Sequence, residues 1–191
     1  MDRSHPVQSR EGPSLETRYS EVRGFSLRLC EPLQPADLEA QSMPDCSPLK
    51  WHLAHTTWFF ETFVLRPYEP NFRPHHERFE YLFNSYYNAV GPRHPRSERG
   101  LLTRPTLHEV LAYRRSVDER VLSVLASVEE SASERGNEAR TITDLVTLGC
   151  HHEQQHQELM LTDLKHLLSC NPLQPAYRTS HTATDSVAAA P

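Results

Sequence analysis

His152 and His156 stand four residues apart in a segment whose apolar residues recur at helical intervals. At roughly 100° per residue, Ile142, Leu145, Val146, Gly149, Met160, Leu164 and Leu167 share one stripe. His156 falls near the centre of that stripe and His152 near its edge, whereas His151 points to the opposite, solvated side. Side chains one turn apart on a helix lie about 5–6 Å apart at Cβ, close enough for two imidazoles to hold the same divalent ion. A second segment supplies a third candidate. Trp51, His55, Trp58 and Thr62 form its inward stripe, with Phe59 beside it and His52 toward the margin, so helical geometry selects His55 over His52. His55, His152 and His156 would then form a facial ligand set. Spacing leaves a second reading open, in which these are core histidines that must each find hydrogen-bond partners. The aromatic stripe Trp51, Trp58 and Phe59 reads as core.

The run His152-Glu-Gln-Gln-His156 also matches H-E-x-x-H, in which Glu153 would activate a zinc-bound water. The extended form of that motif fails, because Leu159 replaces its glycine and Thr162 its third histidine. No glutamate follows Glu158, so a distal Glu ligand is excluded as well. A protease is not expected.

The elements that must position these residues are helices. A first is expected over Leu15–Cys30, weakened by Gly24. Ser47-Pro48 reads as an N-cap followed by proline at the first helical position, opening a helix through Leu65. Pro67, Pro70 and Pro74 mark loop, a short helix over Phe79–Ala89 follows, and Gly91-Pro92 stops it. Arg93–Pro105 reads as an arginine-rich loop. Thr106 with Glu109 forms a capping box for a long helix to Glu130. After the polar stretch Ser131–Arg140, Thr141 with Asp144 opens the last helix, to Ser169, and Asn171-Pro172 ends it. The fold class expected is all-α: an antiparallel four-helix bundle with an extra short helix and long irregular loops.

Composition narrows the partners. The net charge is -5, and the arginines cluster in a loop rather than along a helix face, which argues against nucleic acid and against an anionic membrane. No apolar run approaches the roughly 20 residues that span a bilayer, and Met1–Glu16 lacks a signal-peptide core. A cytoplasmic setting is therefore expected. Cys30, Cys46, Cys150 and Cys170 form no C-x-x-C pair and read as free thiols.

Five stretches carry a resemblance to a known family: Gln41-Ser-Met-Pro-Asp45, Ser47-Pro-Leu-Lys-Trp-His-Leu-Ala-His-Thr-Thr-Trp-Phe-Phe-Glu61, Leu82-Phe-Asn-Ser-Tyr-Tyr-Asn-Ala-Val-Gly-Pro-Arg-His-Pro-Arg96, Arg99-Gly-Leu-Leu-Thr-Arg-Pro105 and His152-Glu-Gln-Gln-His-Gln-Glu-Leu-Met160. In this order they resemble the N-terminal DinB-like domain of the ergothioneine-biosynthesis hercynine oxygenases, or sulfoxide synthases. The resemblance runs from about Tyr19 to Arg178. It implies Fe(II) and O₂, used to join the imidazole carbon of hercynine to the sulfur of cysteine or γ-glutamylcysteine as a sulfoxide. The family's three iron ligands map onto His55, His152 and His156. Three neutral imidazoles leave about three positions on an octahedral iron, room for a thiolate, the substrate imidazole and O₂. By affinity alone the same ligands accept Zn or another divalent metal.

The resemblance also implies that arginines of the Arg93–Arg104 loop bind the thiol substrate's carboxylates, a role carried to Arg96 and Arg99. Guanidinium forks suit carboxylates. The alternative is that these arginines only solvate the loop or pair with Glu98. Family members continue into a larger domain resembling formylglycine-generating enzymes, which supplies an active-site tyrosine and much of the pocket. This sequence stops just after Asn171-Pro-Leu-Gln-Pro-Ala-Tyr-Arg178, and Tyr177 belongs to the linker. The domains expected are a disordered segment 1–14, a metal-binding bundle 15–178 and a disordered tail 179–191. The chain would be completed by a C-terminal catalytic domain in trans, or would be a truncated gene product that has lost it. The other reading is a stand-alone DinB-like metal-binding protein, either non-catalytic or a thiol-dependent transferase.

Overall fold

The computed structural model describes residues 12–85, 89 and 91–178, with only the backbone for 132–134. The expected loose ends, apart from residues 12–14, lie outside the described residues. Among the described residues there is no strand. Four long helices make the bundle: α1 (Leu15–Cys30), α3 (Leu49–Phe60), α6 (Leu107–Glu130) and α7 (Ala132–Ser169). Shorter α2 (Pro35–Glu39), α4 (Arg66–Tyr68) and α5 (Phe79–Phe83) decorate the connections. Local chemistry sets the starts. The Ser14 hydroxyl accepts from Thr17 N–H at 3.2 Å to cap α1. In α6 the expected capping box forms, with Thr106 N–H donating to Glu109 Oε2 at 2.7 Å and Glu109 N–H donating to Thr106 Oγ1 at 3.2 Å.

Pairings between helices give their directions. Arg18 meets His151, Arg23 meets Glu153 and Ser26 meets Gln157, so α1 and α7 run the same way. His52 meets Asp163, His55 meets His152 and Phe60 packs at Gly149, so α3 runs against α7. Leu53 and Glu69 meet Arg114 and Arg120, so α3 and α6 run together. The order is therefore up, down, down, up. The long connection between α4 and α6 makes that possible, since two successive parallel helices need a segment that returns the full length of the bundle. The core between them holds Tyr19, Trp58, Phe60, Tyr113, Val117 and Ile142, all essentially without exposure. At Gly149 a Cβ would stand 2.3 Å from the Phe60 ring, so only glycine lets α3 and α7 approach this closely.

Several boundaries differ from the sequence expectation. The second helix does continue through Leu65, but over Glu61–Leu65 it widens to a π turn and then extends through α4. Pro67 has no N–H to donate, and the wide bond from Arg66 N–H to Glu61 O lies just before it. The helix expected over Phe79–Ala89 stops at Phe83, where Asn84 turns extended (φ -64°, ψ 143°), while residues 86–88 lie outside the described set. Arg96–Leu101, expected as loop, is a 3₁₀ turn. The last helix starts at Ala132 rather than Thr141, with the break confined to Gly136 (φ 44°, ψ -107°). The polar stretch is helix with a glycine kink, and its polarity reflects exposure rather than loop. Among the described residues no helix is long and apolar enough to cross a membrane.

Candidate metal centre

Gly149, where α7 packs tightly on the Phe60 ring of α3, lies about one turn before His152 on the same helix. His55 is buried among aromatic rings. Trp51 stacks on it at 4.6 Å and 11°, and Trp58 stacks at 5.5 Å and 19°. Its Nδ1 lies 2.5 Å from the Phe83 carbonyl, which can only accept, so the proton is on Nδ1 and the Nε2 lone pair is free. That Nε2 lies 3.2 Å from His152 Nε2. Ring centroids of His55, His152 and His156 form a near-equilateral triangle, with sides of 4.9, 4.6 and 4.6 Å. One nitrogen from each ring lies within 4.8 Å of the others, a group that can hold a metal ion.

The donor set fits such an ion. Two nitrogens at metal–nitrogen distances of about 2.1 Å subtend ~3.0–3.4 Å between cis and tetrahedral positions, and 3.2 Å falls inside that range. Two imidazole nitrogens this close repel unless a proton or a cation lies between them. His152 Nδ1 is buried with no hydrogen-bond partner, so protein contacts leave this ring incompletely satisfied. All three rings are held neutral, the form that ligates. Burial and the neighbouring histidines push His55 and His156 far below the ordinary imidazole range, and burial takes His152 down to about 4.

Above the histidines opens a cavity of about 340 Å³. Arg96 and Arg99 line it and no carboxylate does, among the described residues, which makes its field favourable to an anion. Arg99 is buried, with its guanidinium 3.3 Å from the Trp51 ring centroid, where cation and ring face attract. Its Nη1 donates to Ser47 Oγ at 2.9 Å and its Nη2 to Ser85 Oγ at 3.2 Å. Arg96 is exposed, at the rim. Both arginines line the histidine cavity. A second cavity, of about 380 Å³ between α1, α2 and α6, is lined mainly by leucines and gathers no comparable set of ligating groups.

Glu153 is not part of this centre. It points the other way from α7, fully buried, with Arg23 Nη1 at 2.8 Å and Ser26 Oγ at 2.5 Å, and a further bond from Arg114. Burial would raise its pKa, but the Arg114 and Arg23 charges prevail and hold it at about 2. A carboxylate so engaged cannot serve as a base toward the histidines, which removes the H-E-x-x-H reading on geometric grounds. His151 is exposed, beside Arg18, as expected. All four cysteines are free, and burial raises Cys30 and Cys150 to about 11.

Two residues escaped the sequence reading. His52, placed at the helix margin, is buried, with Nε2 3.0 Å from Asp163 Oδ2 and Nδ1 2.8 Å from His156 Nδ1. The signal was present: Asp163 stands seven residues after His156, two turns along the same face of α7. No curated protein matches this chain. Residues 18–160, which hold the bundle and all three convergent histidines, match the DinB superfamily, and the chain belongs to that superfamily.

Proposed function

We propose that this chain is the metal-binding domain of an ergothioneine-biosynthesis sulfoxide synthase. The reaction joins hercynine to cysteine or γ-glutamylcysteine. One C–H and one S–H bond break, C–S and S–O bonds form, and the four electrons released reduce O₂ to the sulfoxide oxygen and one water. The observation that carries this reading is the meeting of three neutral imidazoles beneath a cavity lined by Arg96 and Arg99 and, among the described residues, by no carboxylate. His55, His152 and His156 would hold Fe(II), which when bound supplies a site for the thiolate and for electron transfer to O₂.

The remaining steps belong to the chain's own groups. Arg99, held by Ser47 and Ser85 and stacked on Trp51, offers a pre-set cation for a substrate carboxylate, with Arg96 as a second at the rim. Trp51 and Trp58 fix the His55 ring and keep water from its faces. A C-terminal catalytic domain would close the cavity. Because the ligand set lies wholly within this chain, a second reading is favoured by the same geometry: a stand-alone DinB-like metal protein, non-catalytic or a thiol-dependent transferase.

The test is anaerobic titration with Fe(II), and with Co(II) as a spectroscopic probe. One equivalent should bind and be lost in His156→Ala. Adding cysteine to the Co(II) form should give thiolate-to-cobalt absorption, and with hercynine and O₂ the Fe(II) form alone should yield little sulfoxide. Absence of any bound divalent metal overturns both readings. Metal without cysteine ligation leaves only the second.

A further inference from the structure

The His52–Asp163 pair lies just outside the three rings, on α3 and α7, and it constrains a proton. Asp163 Oδ2 accepts from Ser47 N–H at 2.8 Å and faces His52 Nε2 at 3.0 Å. Burial would raise the Asp163 pKa, but the His52 and Ser47 hydrogen bonds prevail and keep it below the usual carboxylate range. An ionised carboxylate only accepts, so His52 carries its proton on Nε2. His52 is buried, at 2% exposure, where a neutral ring is favoured, and in a neutral ring the other nitrogen, Nδ1, is an acceptor. The partner of that Nδ1 is His156 Nδ1, at 2.8 Å. Two acceptors cannot bond, so His156 must bring the proton on Nδ1, which leaves its Nε2 lone pair free.

We infer that Asp163 and His52 form a positioning relay that fixes His156 as the Nδ1–H tautomer and so prepares its Nε2 to ligate a divalent metal. The inference rests on the three-histidine reading above and goes beyond it by assigning two residues outside the ligand set. It also separates the three rings. His55 has its tautomer set by a backbone carbonyl, His156 by a histidine and a carboxylate, and His152 Nδ1 by no protein group. Groups that orient a metal-bound imidazole in this way typically change metal affinity by about 10–100-fold when removed.

The first measurement needs no metal. Long-range ¹H–¹⁵N correlation spectra of the metal-free protein near neutral pH should give Nδ1–H for His156 and Nε2–H for His52. An Nε2–H tautomer at His156 overturns the relay. The second is Co(II) affinity in folded variants. His52→Phe keeps a flat ring but no acceptor and should weaken binding about 10–100-fold. His52→Gln offers an amide oxygen to His156 and an N–H to Asp163, and should restore most of the loss. Equal losses in the two variants, or none in His52→Phe, would make the contact mere packing and overturn the relay. His156→Ala is the control. If it binds Co(II) as the wild type does, the three-histidine reading itself fails, whatever His52 does.

Discussion

Two polar clusters lie side by side on α7 and are built from the same six-residue run, His152 to Gln157. Glu153 and Gln157 face α1 and α6, where Arg23, Arg114, Ser26 and Asp118 complete a charged network. His152 and His156 face α3 and meet neutral rings. In the first cluster both Glu153 oxygens are engaged by fixed donors, and the buried atom left over, Arg114 Nε, is a donor that cannot ligate a cation. In the second, among the described residues, a buried imidazole Nδ1 lacks a partner and two Nε2 atoms face each other across 3.2 Å. The difference is one of spare lone pairs rather than burial. A cluster whose acceptors are all engaged holds helices together, while one with free lone pairs beside a cavity can ligate.

That contrast can be broken by mutation. The largest effect is expected at Glu153→Gln, which leaves the buried Arg114 charge without its carboxylate and Arg23 with Asp118 alone. A loss of about 3–5 kcal/mol is expected, lowering Tm by roughly 10 °C in calorimetry. A variant as stable as the wild type that instead loses metal would move Glu153 into the centre. His152→Ala should do the reverse. Its metal affinity should fall by more than the ~100-fold of an outer partner, while the metal-free Tm stays within a few degrees of wild type. Arg99→Lys comes next. Lysine has no fork to span Ser47, Ser85 and a carboxylate, so affinity for a carboxylate-bearing thiol should drop roughly tenfold with metal affinity unchanged.

Acid should separate the clusters without mutation. His152 is lowered from 6.5 to about 4, so between those values the unfolded chain binds more protons and metal-free stability falls as pH falls. Glu153 is lowered from 4.5 to about 2, and its contribution is lost only in that lower window. Chemical denaturation across pH should show metal-free stability falling from about pH 6.5 downward, and removing Glu153 should reduce the slope only below about pH 4.5. The smallest effect is expected at exposed His151→Ala, which should change both stability and metal binding negligibly, within about 0.5 kcal/mol. A clear metal defect there would mean that α7 presents a different face to the centre.

Much of this was legible in residue order, for identifiable reasons. Helix α1 starts and stops where the pattern puts it, and the Thr106–Glu109 box opens α6, because caps act within one turn. The apolar stripe of α7 separates His156 and His152 from His151, because helical rotation alone decides which way each points. Where prediction failed, distant contacts intervened. The Ser131–Arg140 stretch looked like loop because solvent exposure and loop share a composition. His52 looked marginal because its partners, Asp163 and His156, come from another helix. The short α2 is marked by Pro35 and the Gln34–Asp37 pair, a signal too brief to stand out.

Sequence by itself determined the long helices, the Thr106–Glu109 cap, the inward faces and the three histidines worth following, because those depend on rotation per residue and on neighbours within a turn. The caps expected at Ser47 and Thr141 do not form, since Ser47 turns its hydroxyl to Arg99 and the last helix already starts at Ala132. Only the folded molecule decided that His55 meets His152 and His156, that Glu153 turns to Arg23 and Arg114, and that Arg99 lies over Trp51. Those outcomes depend on helix direction and on the close approach at Gly149. Both are set by packing among segments about a hundred residues apart, which no local pattern encodes.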